Sequence, residues 1–103
     1  MLKIAWIHSC VRKSKYYFSK HADQERQNDE LIFEEVEEAL LSARIIEHYK
    51  DTGRGESCLT VGFTNSGKPI HMVCGKRGSW LAVVTVYIPR PPKFKTIYER
   101  GKK

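Results

Sequence analysis

The sequence predicts an α+β fold, with N-terminal helices packed on one face of a four-stranded, mainly antiparallel twisted sheet. Three observations lead there. Apolar residues recur at helical spacing only as far as Ala43. From Arg44 onward they fall into short β-prone runs, the clearest alternating with period two. The connections between these runs are too short for a parallel crossover, which needs about a dozen residues, so neighbouring strands should be antiparallel. A sheet covered on one side leaves its other face for a ligand.

Taken in order, Leu2, Ile4, Ala5, Trp6, Ile7 and Val11 suit a helix over residues 2–13, with a first strand over residues 3–8 as the alternative. Tyr16, Tyr17 and Phe18 form an aromatic cluster. Ser19 is a good N-cap for a short helix over residues 20–27, which Asn28, Asp29 and Glu30 break. The next helix, over residues 33–43, has Phe33, Val36, Ala39, Leu40 and Ala43 as its apolar stripe, and Glu34, Glu35, Glu37 and Glu38 as a solvated face. Residues 44–50 turn strand-like, and residues 51–56 are a polar loop containing glycine. The following strand places Leu59, Val61 and Phe63 on one side and Cys58, Thr60, Gly62 and Thr64 on the other. After a turn at Asn65, Ser66 and Gly67 comes the most apolar stretch, a hairpin of residues 69–74 and 80–88 with its turn at Gly75, Lys76, Arg77 and Gly78.

A chain of 103 residues suits one domain, with a basic, proline-rich C-terminal arm from about residue 90 to 103. Its 41% hydrophobic and 29% charged content excludes a disordered chain. No apolar run approaches the roughly 20 residues that span a bilayer, and the N-terminus lacks a leader pattern, so a cytoplasmic protein without membrane contact is expected. Cys10, Cys58 and Cys74 are odd in number and never Cys-x-x-Cys, so buried thiols are expected, with Cys58 and Cys74 close on neighbouring strands.

The net charge of +6 is unevenly spread. Lys3, Arg12, Lys13, Lys15 and Lys20 occur before any acid, and from Lys76 to the end only Glu99 offsets the basic residues. The natural counterpart is a polyanion such as nucleic acid, or an acidic protein, and the alternative is a solvated basic surface.

Two constellations can carry chemistry. If odd positions of the hairpin face odd positions, His71, Thr85 and Tyr87 share one face. An imidazole, a hydroxyl and a phenol then converge, a set able to move protons near neutral pH. The alternative is a buried histidine satisfied by a neighbouring hydroxyl. On the short helix His21 and Glu25 are spaced i, i+4, so Glu25 can hold the imidazole in one orientation. Arg26 can stabilise charge on a phosphate, with Lys20, Arg90 and Lys93 holding the backbone of a nucleic acid. Nothing in the spacing demands a metal or another cofactor.

Five blocks in order, namely Phe18-Ser19-Lys20-His21-Ala22, residues 33–40, Val61-Gly62-Phe63-Thr64, residues 67–71 and residues 84–89, resemble a family of small bacterial and archaeal proteins of unknown function. Such proteins are often encoded beside a zinc-ribbon antitoxin of the MqsA/YgiT type. The family looks like a remote relative of the RelE- and BrnT-type toxins. The resemblance implies a RelE-like fold and a toxin that cleaves RNA without a metal, with an antitoxin as partner. Its polar positions match Ser19, His21, His71, Thr85 and Tyr87 here. Some relatives have an arginine four residues after the helix histidine, where this chain has Glu25 followed by Arg26. A non-catalytic module that binds RNA or protein is the rival expectation.

Overall fold

In a computed structural model, which describes residues 1–51 and 53–90, three helices and five strands follow the order α1 (Ile4–Arg12), β1 (Tyr16–Phe18), α2 (Lys20–Asn28), α3 (Phe33–Leu41), β2 (Arg44–Tyr49), β3 (Ser57–Phe63), β4 (Pro69–Arg77) and β5 (Trp80–Tyr87). The α+β class holds, but the sheet has five strands and is mixed. Its order is β1-β5-β4-β3-β2. The added strand is the aromatic cluster, whose residues Tyr16, Tyr17 and Phe18 pair in parallel with Leu81, Ala82 and Val83. Three residues are too few to show a period, and their partner is distant in sequence, so local pattern did not mark them as a strand. The expected C-terminal arm lies outside the described residues beyond Arg90. Among the described residues no helix is long and apolar enough to cross a membrane.

The helices and one face of the sheet enclose the core. Ile7, Cys10 and Val11 of α1, Ala22 of α2, and Val36, Ala39 and Leu40 of α3 pack with Cys58, Ile70, Met72, Cys74, Leu81, Val83 and Val86. α3 approaches β3 closely at Gly62, where a methyl group would overlap the Ala39 carbonyl. Phe33 is not part of that core: it is half exposed, its ring edge-on to Phe18 and beneath the Arg26 guanidinium at 3.8 Å.

β4 runs on through Gly75 and Arg77, so the hairpin turn is Gly78-Ser79, with Gly78 at φ +63°. Cys58 stands opposite Cys74, and His71 opposite Tyr87, as the alternation predicts. One irregularity changes the facing of β5. Val73 pairs Thr85 but Cys74 pairs Val83, leaving Val84 as the extra residue of a bulge. Leu81 and Val83 therefore face the helices, while Thr85 and Tyr87 face away from them with Val73 and His71. Uniform alternation had put all four on one side. The face away from the helices is not bare either, because Leu59, Val61 and His71 are fully buried on it.

The acids of α3 are more than a solvated face. Glu37 accepts from the Tyr16 hydroxyl, Glu38 from the Asn65 amide, and Glu35 from both the Ile32 amide and Lys68 Nζ, the last two at 3.1 and 2.9 Å. The Lys68 bond, and after it the Ile32 amide, hold the Glu35 carboxyl below its ordinary value of 4.5, against a smaller opposing effect of burial.

Two outcomes are expected. Gly62→Ala should destabilise the fold by about 3 kcal/mol, measured by urea denaturation, because the Ala39 backbone blocks the methyl. Since the folded carboxyl of Glu35 is the more acidic, its tie contributes stability above pH 4.5 and loses it as pH falls through the lowered value. Glu35→Gln should therefore flatten the loss of stability between neutral and acid pH, read from denaturation midpoints across that range.

Candidate functional site

β1 pairs only with Leu81–Val83, so beyond Val83 the outer edge of β5 has no strand beside it among the described residues. Unpaired strand edges are costly and prone to foreign pairing. α2 and its two flanking residues occupy this edge instead. The Ser19 hydroxyl donates to the Val84 carbonyl at 3.0 Å, Glu25 Oε1 accepts the Val86 N–H at 3.1 Å, and Asp29 Oδ2 accepts the Ile88 N–H at 2.8 Å. Ser19 is also the expected N-cap, accepting the Ala22 N–H at 3.0 Å. Asp29, read from the sequence as a helix breaker, is the lower end of this clamp, and no local signal could have revealed a partner so far along the chain.

The clamp positions the first candidate pair. Glu25 Oε1 lies 3.2 Å from His21 Nε2, in the expected i, i+4 pairing. His21 is 68% exposed and Glu25 only 24%, so the imidazole faces solvent from a carboxylate fixed by the sheet. The second pair lies on the sheet face away from the helices. His71 Nδ1 is 3.3 Å from the Tyr87 hydroxyl, and the rings meet edge-on with centroids 5.3 Å apart. His71 is completely buried, whereas Tyr87 is half-buried. Thr85 is also half-buried, and joins this face through its pairing with Val73. The two pairs thus meet on consecutive residues of β5, one through the Val86 amide at the edge and the other through Tyr87 on the face.

The expected phosphate-binding residues divide. Arg26 is held inward: it bonds Asp23 through Nε and Nη2 at 2.9 and 2.7 Å, donates to the Leu31 carbonyl at 2.9 Å and lies over Phe33. Lys20 is exposed beside a depression of about 720 Å³ lined also by Tyr16, Tyr17, Phe18, Asp23 and Phe33. Arg90 is 60% exposed and contacts Asp29 at 3.2 Å, which joins it to the clamp. Lys93 lies outside the described residues.

The sequence matches a family described as a domain of unknown function (DUF4258) over residues 18–99, which takes in both pairs and the clamp. The chain belongs to the DUF4258 family. No curated protein and no solved structure matches it significantly. The matched segment of this DUF4258 chain begins at Phe18, next to the clamp residue Ser19.

Other chemistry finds less support. The three cysteines are free and buried. Burial pushes the Cys10 and Cys58 thiols up, Cys58 to about 12, and raises Cys74 as well, so none supplies a thiolate near neutral pH. Among the described residues no cluster of three His, Cys, Asp or Glu side chains suits a metal ion.

The clamp makes its own prediction. Glu25→Ala removes an ionised acceptor from the Val86 amide and should cost about 1.5–3 kcal/mol. Hydrogen exchange should accelerate at Val86 and Ile88 more than at the amides of β3, which is paired on both sides by β2 and β4.

Proposed function

We propose that this DUF4258 protein is a metal-independent endoribonuclease that acts as the toxin of a toxin–antitoxin pair. The observation that carries the reading is the His71–Tyr87 pair, a phenol held by a fully buried imidazole on the sheet face away from α1, α2 and α3. Buried, hydrogen-bonded histidines are common structural devices, but here a second histidine stands exposed on the neighbouring element, fixed by Glu25.

In the proposed reaction the ribose 2′-hydroxyl attacks the adjacent phosphorus, the P–O5′ bond breaks, and a 2′,3′-cyclic phosphate and a 5′-hydroxyl result. The nucleophile belongs to the RNA, so the protein needs only acid–base groups and cations. His21 takes the 2′-hydroxyl proton, and Glu25 orients it. Tyr87 gives a proton or a hydrogen bond to the leaving oxygen, with His71 positioning the phenol and Thr85 adding a hydroxyl on the same face. Lys20 and Arg90 hold phosphates, with Lys93 as a further candidate. A RelE-like architecture and a cytoplasmic site of action belong to the same proposal. The cognate partner would be a zinc-ribbon antitoxin whose acidic groups cover the basic surface.

A second reading, a non-catalytic RNA-binding module, is favoured by two observations: His71 has no exposed surface, and Arg26 is engaged within the fold. The two readings part on the variants. His21→Gln and Tyr87→Phe remove one functional group each from side chains that do not fill the core. For an enzyme, each should lower cleavage of a single-stranded RNA by about 100-fold or more and relieve growth arrest, with products ending in cyclic phosphate. Intact RNA with wild-type protein, free or on ribosomes, or unchanged cleavage in both variants, would leave only the binding module. Glu25 variants are uninformative for this purpose, since they also loosen the edge of β5.

A further inference from the structure

The hairpin end of the sheet carries a second feature on the face that holds Tyr87. Tyr16 and Phe18 point toward α3, where Tyr16 bonds Glu37 and Phe18 packs on Phe33. Tyr17 therefore points the other way, beside Ala82, its partner on β5. Trp80, two residues before Ala82, shares that side, and Arg77 stands opposite it on β4. The Arg77 guanidinium lies against Gly75, the partner of Ala82, where a methyl group would collide with it. Two large rings, Tyr17 at 44% exposure and Trp80 at 43%, thus flank a floor made of alanine and glycine, with a guanidinium beside them. Exposed rings of this size on a folded domain are unusual enough to ask what covers them.

The charge around them is mainly positive, although Asp51 lies within electrostatic reach of Arg77 and Asp23 lines the depression beside Tyr17. No acid occurs before Asp23, nor anywhere in β3, β4 or β5. Lys15 is drawn to the spot because its carbonyl accepts the Leu81 N–H, and Lys20 lines the depression that also borders Tyr17. The carboxylates that come near are occupied. Asp51 accepts from the Gly53 and Gly55 amides, at 2.8 and 2.9 Å, and Asp23 is held by Arg26 and Gln27.

We infer that Tyr17 and Trp80 form a stacking platform for the unpaired bases of a single-stranded RNA, with Arg77, Lys15 and Lys20 along its phosphates. Aromatic faces interleaved with cations bind single strands without reading their sequence, because every base offers a π-face. A duplex keeps its bases stacked inside and cannot use the rings. From Ala82 to Tyr87 a strand advances about 16 Å at its ordinary rise, so one short RNA can lie on the platform and reach the Tyr87 pair. The inference rests on reading this protein as one that acts on RNA, and it assigns that substrate a single-stranded binding subsite.

The test is fluorescence anisotropy of a labelled 2′-O-methyl oligoribonucleotide, which lacks the attacking hydroxyl and so measures binding apart from cleavage. Tyr17→Ala and Trp80→Ala should each weaken binding about tenfold or more, Trp80→Phe should retain most of the affinity, and a duplex of the same sequence should bind more weakly. Circular dichroism checks that the variants stay folded. If the wild-type protein binds the single strand but the alanine variants bind it equally, or the duplex binds as tightly, the platform is overturned while the ribonuclease reading stands. If the wild type binds no RNA, both fall. Binding through the platform without cleavage of an unmodified strand would overturn the ribonuclease reading alone.

Discussion

The arrangement of this protein depends on how the open edge of β5 is closed. A strand edge buried without partners leaves amides and carbonyls that cost free energy, and one left bare invites pairing with another chain. β1 is only three residues long and covers the first part of that edge. α2 and its two capping residues cover the rest, with a hydroxyl and two carboxylates bonding the backbone at Val84 and Val86 of β5 and at Ile88 just beyond it. This explains why a helix with only one buried residue, Ala22, is stably docked: polar ties replace much of the apolar stripe that usually seats a helix. It also fixes where His21 sits, because the carboxylate that closes the edge is the one that holds the imidazole.

The bulge at Val84 is the second determinant. Before it, β5 gives Leu81 and Val83 to the helical core; after it, Thr85 and Tyr87 turn to the opposite face. One extra residue thus converts a strand whose odd positions would all lie together into one that serves both sides of the sheet. Gly62 lets α3 approach β3 closely and secures the other half of the core. The face away from the helices then combines a buried imidazole under a tyrosine at one end with two exposed rings among cations at the other.

Charge segregation follows from how the acids are used. Glu25, Asp29, Glu35, Glu37 and Glu38 each accept hydrogen bonds that tie elements together, and Asp23 holds Arg26. The acids are therefore largely directed toward the fold itself. Arg12, Lys13, Lys15 and Lys20 are offset by fewer acids near them in the sequence, while most of the net positive charge belongs to residues 91–103, outside the described residues.

The sequence by itself determined the helices, the antiparallel β2–β5 order, the Ser19 cap, the i, i+4 spacing of His21 and Glu25 and the opposition of His71 and Tyr87. Each rests on local periodicity or on a short turn, which act over a few residues. Belonging to DUF4258 is also a property of the sequence. Tertiary structure alone decided that Tyr16–Phe18 is a strand, that Phe33 leaves the core for the surface, that Arg26 is bound inward and that Asp29 clamps an amide 59 positions away. These depend on which distant backbone groups lack a partner, and no pattern confined to neighbouring residues encodes that need.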